Sequence, residues 1–332
     1  MAIVYGLISG LLFGFVLQRS RLCFNSAFRD LLLEKDNFVW KTGVFALALQ
    51  MILFPLMAQF GLIKLNPPAL NWVGVIVGAF LFGLGMVLGG GCASGTTYRV
   101  GEGNTTSWFA ALFFALTGMA TASGVLAPLR TALAPERIKV ASNSILFLED
   151  VGPNLSTLLG VNPLIPSLII AALLIVYVFA TKTSKRPEAK WPWWLSSILV
   201  TLVAGFAYWS STQTGRNYGL GITGGWIGLM TFLTGDGAFG WFPALIVGTI
   251  VGALITSIVT KEFKLRVPRD GKTFVKVAIG GMLMGFGAVT AGGCNIGHFL
   301  TGIPQLAISS IVAGVFFILG NWTMTWFLYM RD

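Results

Sequence analysis

The chain has 332 residues, of which 55% are hydrophobic and only 10% charged, against about 25% charged in soluble domains. This composition excludes an ordinary soluble globular protein and points to an integral membrane protein. Twenty-two Lys and Arg against twelve Asp and Glu give a formal charge of +10, but the basic residues gather in short connections between apolar windows, as orientation signals do, and not on a nucleic-acid surface.

In chain order, the first apolar window, 2–17, is short and meets Arg19 and Arg21. It has neither a cationic leader region nor a small-residue cleavage site, so it is expected to stay in the mature protein. A basic stretch follows at 19–41, with Arg19, Arg21, Arg29, Lys35 and Lys41. A membrane-crossing helix needs about 20 apolar residues, and suitable windows lie at 43–63, 72–91, 107–128, 163–181, 191–210, 242–260, 274–293 and 306–328. The segment 219–234 is shorter and broken by Gly219, Gly221, Gly224, Gly225 and Gly228. Continuous apolar runs exclude barrel strands, which alternate.

Two further basic clusters, Lys182, Lys185, Arg186 and Lys190, then Lys261, Lys264, Arg266, Arg269, Lys272 and Lys276, read as cytoplasmic loops at 182–190 and 261–276. Loops share a side only if an even number of crossings separates them. That condition makes 219–234 a re-entrant segment or two half-helices, and it places 129–162 on the opposite side, with a surface helix expected near 144–150. The fold expected is an all-α polytopic bundle of about nine spans. It forms one transport domain over 1–332, with repeat-like halves at 1–181 and 182–332.

The chemistry concentrates in a phrase used three times: "FGFVLQRSRLCFNSAF", "FGLGMVLGGGCASGTTY" and "MGFGAVTAGGCNIGHFL". Each copy sets a glycine nine residues before a cysteine: Gly14 to Cys23, Gly83 to Cys92, Gly285 to Cys294. Under the parity argument the helices leading to Cys92 and Cys294 run in opposite directions, the signature of inverted repeats, whose discontinuous helices meet near the bilayer midplane. Gly90 and Gly91, and again Gly292 and Gly293, let the backbone leave helical geometry. A helix restarting there presents unpaired amides and a positive dipole end, which is an anion site. Ser94, Thr96, Thr97 and Asn295 follow the two glycine breaks as caps or donors, and the first copy offers Arg21, Asn25 and Ser26.

Plainer readings compete. Gly10, Gly14, Gly78, Gly83, Gly281 and Gly285 fit close helix packing, and a single cysteine is a common core filler. Three cysteines, all at the same place in a repeat, are not explained by filling. His298, the sole histidine, is either a ligand and proton carrier or a packing residue. Arg99 either attracts an anion or lines the interface. Met86 and Met284, next to their cysteines, admit a soft-metal transporter as the alternative. The acidic residues fall in or near expected loops, which disfavours proton relays and cation channels. With no P-loop, paired carboxylates, CxxC or HExxH, neither an enzyme, nor a cofactor, nor a metal site is expected.

The segments "GFVLQRSRLCF", "GLGMVLGGGCASGTTYRVGEG" and "GMLMGFGAVTAGGCNIGH" resemble the YeeE/YedE family of bacterial inner-membrane sulfur transporters over nearly the whole chain. The resemblance implies uptake of an inorganic sulfur anion, thiosulfate foremost, along a central path. Its stations would be Cys23, Cys92 and Cys294, framed by Gly90, Gly91, Gly292 and Gly293, with transient S–H···S contacts to reduced thiols. Members of that family are sometimes encoded with, or fused to, a TusA-like sulfur-carrier protein in the cytoplasm; no such soluble domain lies in these 332 residues, and the basic loops 182–190 and 261–276 are where a separate carrier is expected to dock.

Overall fold

The computed structural model describes residues 1–135, 137–141, 144–184, 186 and 190–331; Lys185 of the first basic loop lies outside them. The chain opens with α1 (Ala2–Ser20), α2 (Phe24–Leu33), α3 (Phe38–Gln59), α4 (Trp72–Leu88), α5 (Ala93–Gly101) and α6 (Thr105–Ala122). A connection holding α7 (Ala127–Leu133), a short hairpin of β1 (Val140–Ala141) and β2 (Asp150–Val151), and α8 (Leu155–Leu159) leads to α9 (Leu164–Ala180) and α10 (Trp193–Thr212). Then come α11 (Ile222–Leu233), α12 (Trp241–Val259), α13 (Gly271–Ala291), the single turn α14 (Asn295–Gly297) and α15 (Ile308–Tyr329). Between α14 and α15 the helix loosens into a π turn, His298–Gly302, and tightens into a 3₁₀ turn, Ile303–Gln305.

Among the described residues, eight helical runs are long and apolar enough to cross a membrane, so the chain is a polytopic all-α membrane protein. The window at 2–17 grows into the 19-residue α1. Helix α9, at 17 residues, is about 26 Å long at 1.5 Å per residue. Helix α11 has 12 residues, about 18 Å, too short for a full crossing. The surface helix expected at 144–150 does not form. Leu65 and Phe147 instead form a β-bridge, and both side chains are buried, because an apolar residue gains more under the loop than on its surface.

Close backbone approach holds the bundle together, and the small residues decide where it occurs. Helices α4 and α13 pack antiparallel: the Cβ position of Gly78 faces Ala291 and Gly287, and that of Gly85 faces Gly280 and Met284. Helix α1 packs parallel to α12, Gly10 against Leu245 and Gly248, and Gly14 against Thr249 and Ala253. The packing reading of Gly10, Gly14, Gly78, Gly83, Gly281 and Gly285 therefore holds, since an added methyl at each would meet a neighbouring backbone. The Cys92 and Cys294 phrases thus follow helices that run in opposite directions.

The basic segments share one face. Arg19 and Arg21 reach Glu262, Arg186 reaches Asp30, and Asn37 bonds the 182–184 backbone and side chains. Lys41 is buried, not loop-exposed; its Nζ donates to the Thr181 carbonyl at 2.5 Å and to Thr183 Oγ1 at 2.7 Å. Two acidic residues also depart from the loop expectation. Asp30 and Glu102 are 2% and 1% exposed, each held by arginine.

Gly287→Ala is expected to lower the melting temperature in detergent. Its Cβ would stand 2.5 Å from the Gly78 carbonyl oxygen and 2.6 Å from the Phe82 nitrogen, an overpacking that costs about 1–3 kcal/mol. Gly271→Ala, with nothing within 4 Å, should leave the melting temperature unchanged or slightly raised.

Candidate functional site

The two glycine breaks are built alike. In each, the helix ends in a left-handed glycine, Gly90 at φ 70° and Gly292 at φ 85°. The next amide reaches five residues back, Gly91 to the Met86 carbonyl at 3.1 Å and Gly293 to the Ala288 carbonyl at 2.8 Å. This is the Schellman ending, which needs glycine at its left-handed position. The following residue is the cysteine, in extended geometry (φ −77°, ψ 176° for Cys92; φ −84°, ψ 178° for Cys294), and it is the N-cap of the next helix. Cys23 caps α2 in the same way, at φ −143° and ψ 117°. In that first copy Arg21 takes the left-handed place, at φ 54°, a conformation costing a non-glycine residue about 1–2 kcal/mol.

All three cysteines are free and buried. Cys23 and Cys92 come together, with Sγ atoms 3.6 Å apart. Around Cys92, the Ser94 hydroxyl lies 3.4 Å from the sulfur, and the Gly95 amide donates to it at 3.4 Å. A Cβ on Gly95 would sit 2.5 Å from the Cys23 sulfur, so a larger residue there would push that thiol aside. Arg99 closes the break: its Nη1 donates to the Gly90 carbonyl at 2.8 Å and would stand 3.0 Å from a Cβ on Gly91. Cys294 lies beyond α13, which is antiparallel to the helix before Cys92, and no sulfur contact joins it to the other two among the described residues.

The remaining expected contacts divide into occupied and open. Thr97 is occupied: its hydroxyl donates to the Ala93 carbonyl at 2.8 Å and accepts from Trp226 Nε1 at 2.9 Å. Asn25 accepts from Asn321 Nδ2 at 2.8 Å. His298 Nδ1 pairs with the Ser310 hydroxyl at 2.9 Å, while its Nε2, beside Gly293, finds no protein partner. Thr96 Oγ1 and both amide atoms of Asn295 are likewise buried without a partner. Buried polar groups are normally satisfied, so these positions are open to water or another small polar group. Met86 and Met284 are fully buried, Met284 against the Gly85 and Gly89 backbone, and among the described residues no three His, Cys, Asp or Glu side chains converge as for a metal.

Two cavities border these segments. One, of about 530 Å³ on the basic face, is lined by Ser20, Arg21, Ser26, Tyr98, Arg99 and Glu102, with Lys190, Lys261, Lys264 and Arg266 at its rim. The other, of about 270 Å³, is lined by Arg216, Tyr218, Thr223 and the Gly292–Cys294 turn. Arg216 escaped the sequence reading because "GRNYG" sits in an unremarkable connection. Its Nη1 donates to Ser211 Oγ, the Tyr218 carbonyl and the Gly219 carbonyl at 2.8–3.0 Å, and its guanidinium stacks on Phe242 at 3.7 Å. No carboxylate pairs with it among the described residues, so a cation faces the cavity beside Cys294. Glu102 also escaped notice. The only hint was an acid directly after a glycine-broken membrane segment.

At the basic face, burial would push the Glu262 carboxyl up, but a hydrogen bond from Gln18 and the charges of Arg21, Arg19 and Lys190 hold it below its ordinary range. The stability this contributes is present above the unfolded carboxylate pKa of about 4.3 and is lost as pH falls through the lowered folded value. Melting temperature in detergent should therefore be flat across neutral pH and drop only in acid. Glu262→Gln should be less stable at neutral pH and should approach the parent protein as the medium is acidified.

The family model described as sulphur transport matches residues 19–323. The chain is 55% identical over 327 residues to the thiosulfate transporter TsuA of Spirochaeta thermophila, covering 98% of this chain and 99% of that protein. It is 34% identical over 346 residues to the thiosulfate transporter TsuA of Escherichia coli, covering 99% and 95%. A shorter match, 36% over 105 residues, covers 31% of this chain and 25% of the probable transporter YedE of Salmonella typhimurium. The chain therefore belongs to the sulphur-transport family, the YeeE/YedE transporters that its three motifs resemble.

Proposed function

We propose that this protein carries thiosulfate, or a closely related sulfur anion, inward across a bacterial inner membrane. The observation that carries the reading is the placement of the three thiols. Cys294 lines one cavity, Cys23 and Cys92 pair at 3.6 Å, and the other cavity is lined by Arg21, two residues before Cys23, and by Tyr98 and Arg99 of the helix that Cys92 caps; both cavities carry arginine.

An anion entering the cavity beside Cys294 meets Arg216 first. It then meets a thiol at a helix start, with Asn295 Nδ2 and His298 Nε2 near the same break and without protein partners. Neutral thiols suit this task, because a thiolate would repel a dianion, whereas an S–H group donates weakly to a soft terminal sulfur. Further along, Thr96 and the Cys92–Cys23 pair repeat the same chemistry, and Arg99 and Arg21 lead to the second cavity. Several weak sites in series let an ion bind well enough to enter and loosely enough to leave. The thioethers of Met86 and Met284 are taken up in the helix seam, which removes the support for a soft-metal route.

On this reading the basic face is cytoplasmic, by the positive-inside rule, and the lysines and arginines at its cavity rim form the docking surface for a TusA-like sulfur carrier. In proteoliposomes, Cys92→Ala and Cys294→Ala should each cut thiosulfate uptake by at least about tenfold, the weight of one hydrogen bond to a charged group, with Cu(I) uptake absent throughout. Uptake that survives replacement of all three cysteines would refute the relay. For the partner, replacing Lys261, Lys264 and Arg266 by glutamine should weaken capture of the carrier protein at low salt and leave little difference at high salt, where such attraction is screened; equal capture at low salt would exclude that surface.

A further inference from the structure

Arg21, like Lys261, is a cation that the chain holds in a left-handed backbone position at the basic-face cavity. It stands at the left-handed turn ending α1, two residues before Cys23, and it lines that cavity. Both of its terminal nitrogens are already engaged. Nη1 donates to Glu102 Oε1, and Nη2 to Glu262 Oε2 at 2.7 Å. Gln18 Nε2 bridges the same two carboxylates, at 3.2 Å to Glu102 and 2.8 Å to Glu262.

Stability alone is a poor account of this cluster. Burying an ion pair returns little net free energy over an apolar replacement, yet Glu102 is 1% exposed and its Oε2 has no partner at all. Glu102 keeps one oxygen unpaired while the other holds Arg21 and Gln18, and Glu262, 20% exposed, is the member that water can most readily take up on exchange. The cluster also joins three separate segments across the mouth of the cavity. These are the end of α1, the end of α5 and the loop after α12, whose Lys264 and Arg266 amides donate to the Glu102 and Gly103 carbonyls at 3.4 and 2.9 Å.

We infer that Glu102 and Glu262 form an exchange latch on Arg21. The oxyanion leaving the Cys23–Cys92 pair displaces a carboxylate from the guanidinium, and the returning carboxylate then expels the anion into the cavity. The chemistry favours anions with oxygens spaced to take both arms of a guanidinium fork, so the latch discriminates for sulfur oxyanions over a spherical halide. Without the carboxylates, Arg21 would be a bare cation in a low-dielectric passage and would hold a dianion instead of releasing it. This inference rests on the proposed inward passage of such an anion and adds the residues that govern its release.

The test uses the full chain in proteoliposomes, with KM and maximal rate of labelled thiosulfate uptake measured for the parent, Glu102→Gln, and Arg21→Gln combined with Glu102→Gln. The single variant is expected to lose about tenfold in maximal rate while its KM falls by a similar factor, the mark of an anion held and not released. The double variant should recover rate with a raised KM, because the trapping cation is gone. Parent-like KM and rate in Glu102→Gln, or a double variant no faster than the single one, would overturn the latch. Should Glu102→Gln fail to insert, Glu262→Gln, at a site 20% exposed, carries the same comparison with its own Arg21→Gln double. Absence of thiosulfate uptake by the parent would instead defeat the transport reading itself.

Discussion

Everything here depends on how a chain can stop a helix inside a membrane. With no water to pair them, unsatisfied amides and carbonyls cost several kcal/mol each in hydrocarbon, about enough to forbid an uncapped end. This chain breaks a helix just ahead of each of its three cysteines and satisfies the two glycine breaks locally. Two breaks use the same left-handed glycine and the same five-residue back-bond, and Arg99 seals the Gly90 carbonyl that remains. The third uses Arg21 in the left-handed place, accepting strain so that a guanidinium emerges where the other copies have hydrogen.

The residue chosen to restart each helix then becomes informative. Serine, threonine, aspartate and asparagine are the favoured N-caps, and here the position is cysteine in all three copies. At Cys92 the sulfur does accept from the N3 amide, at 3.4 Å, but a hydroxyl would do so at shorter range. Cysteine at three equivalent cap positions is therefore poorly explained by capping alone, which is what the proposed role of the thiols draws on. The neighbouring Gly95 makes the same point sterically, since any side chain there would be driven into the Cys23 sulfur.

Much of this was legible in the sequence because it obeys periodicities that the bilayer enforces. Apolar windows gave the helices, loop charge gave one shared basic face, and the equal spacing of glycine to cysteine marked the breaks. The antiparallel course of α4 and α13, which the crossing parity implies, appears as contacts of Gly78 with Gly287 and of Gly85 with Gly280. What escaped was set by tertiary pairing, which leaves no local pattern. The 3.6 Å approach of Cys23 to Cys92 joins residues 69 apart. Phe147 was assigned to a surface helix because its partner Leu65 is distant in sequence. Thr97 and Asn25 read as free polar groups along the chain, whereas in the fold Trp226 and Asn321, on other helices, donate to them.

The charged residues show why tertiary context also reverses meaning. Read along the chain, Arg21, Arg99 and Arg216 are three of twenty-two basic residues, and orientation accounts for them. In the fold they hold three distinct states: Arg99 spends a donor on a helix end, Arg21 is shared between two carboxylates, and Arg216 stacks on Phe242 with only neutral oxygens around its Nη1. An anion would therefore find its cations progressively engaged, from the carboxylate-free Arg216 beside Cys294 to the Arg21 already paired beneath the basic face. On the proposed passage, attraction at Arg216 and competition from Glu102 and Glu262 at Arg21 would let a chain poor in intramembrane carboxylates both draw in a dianion and let it go, the gradient setting the direction.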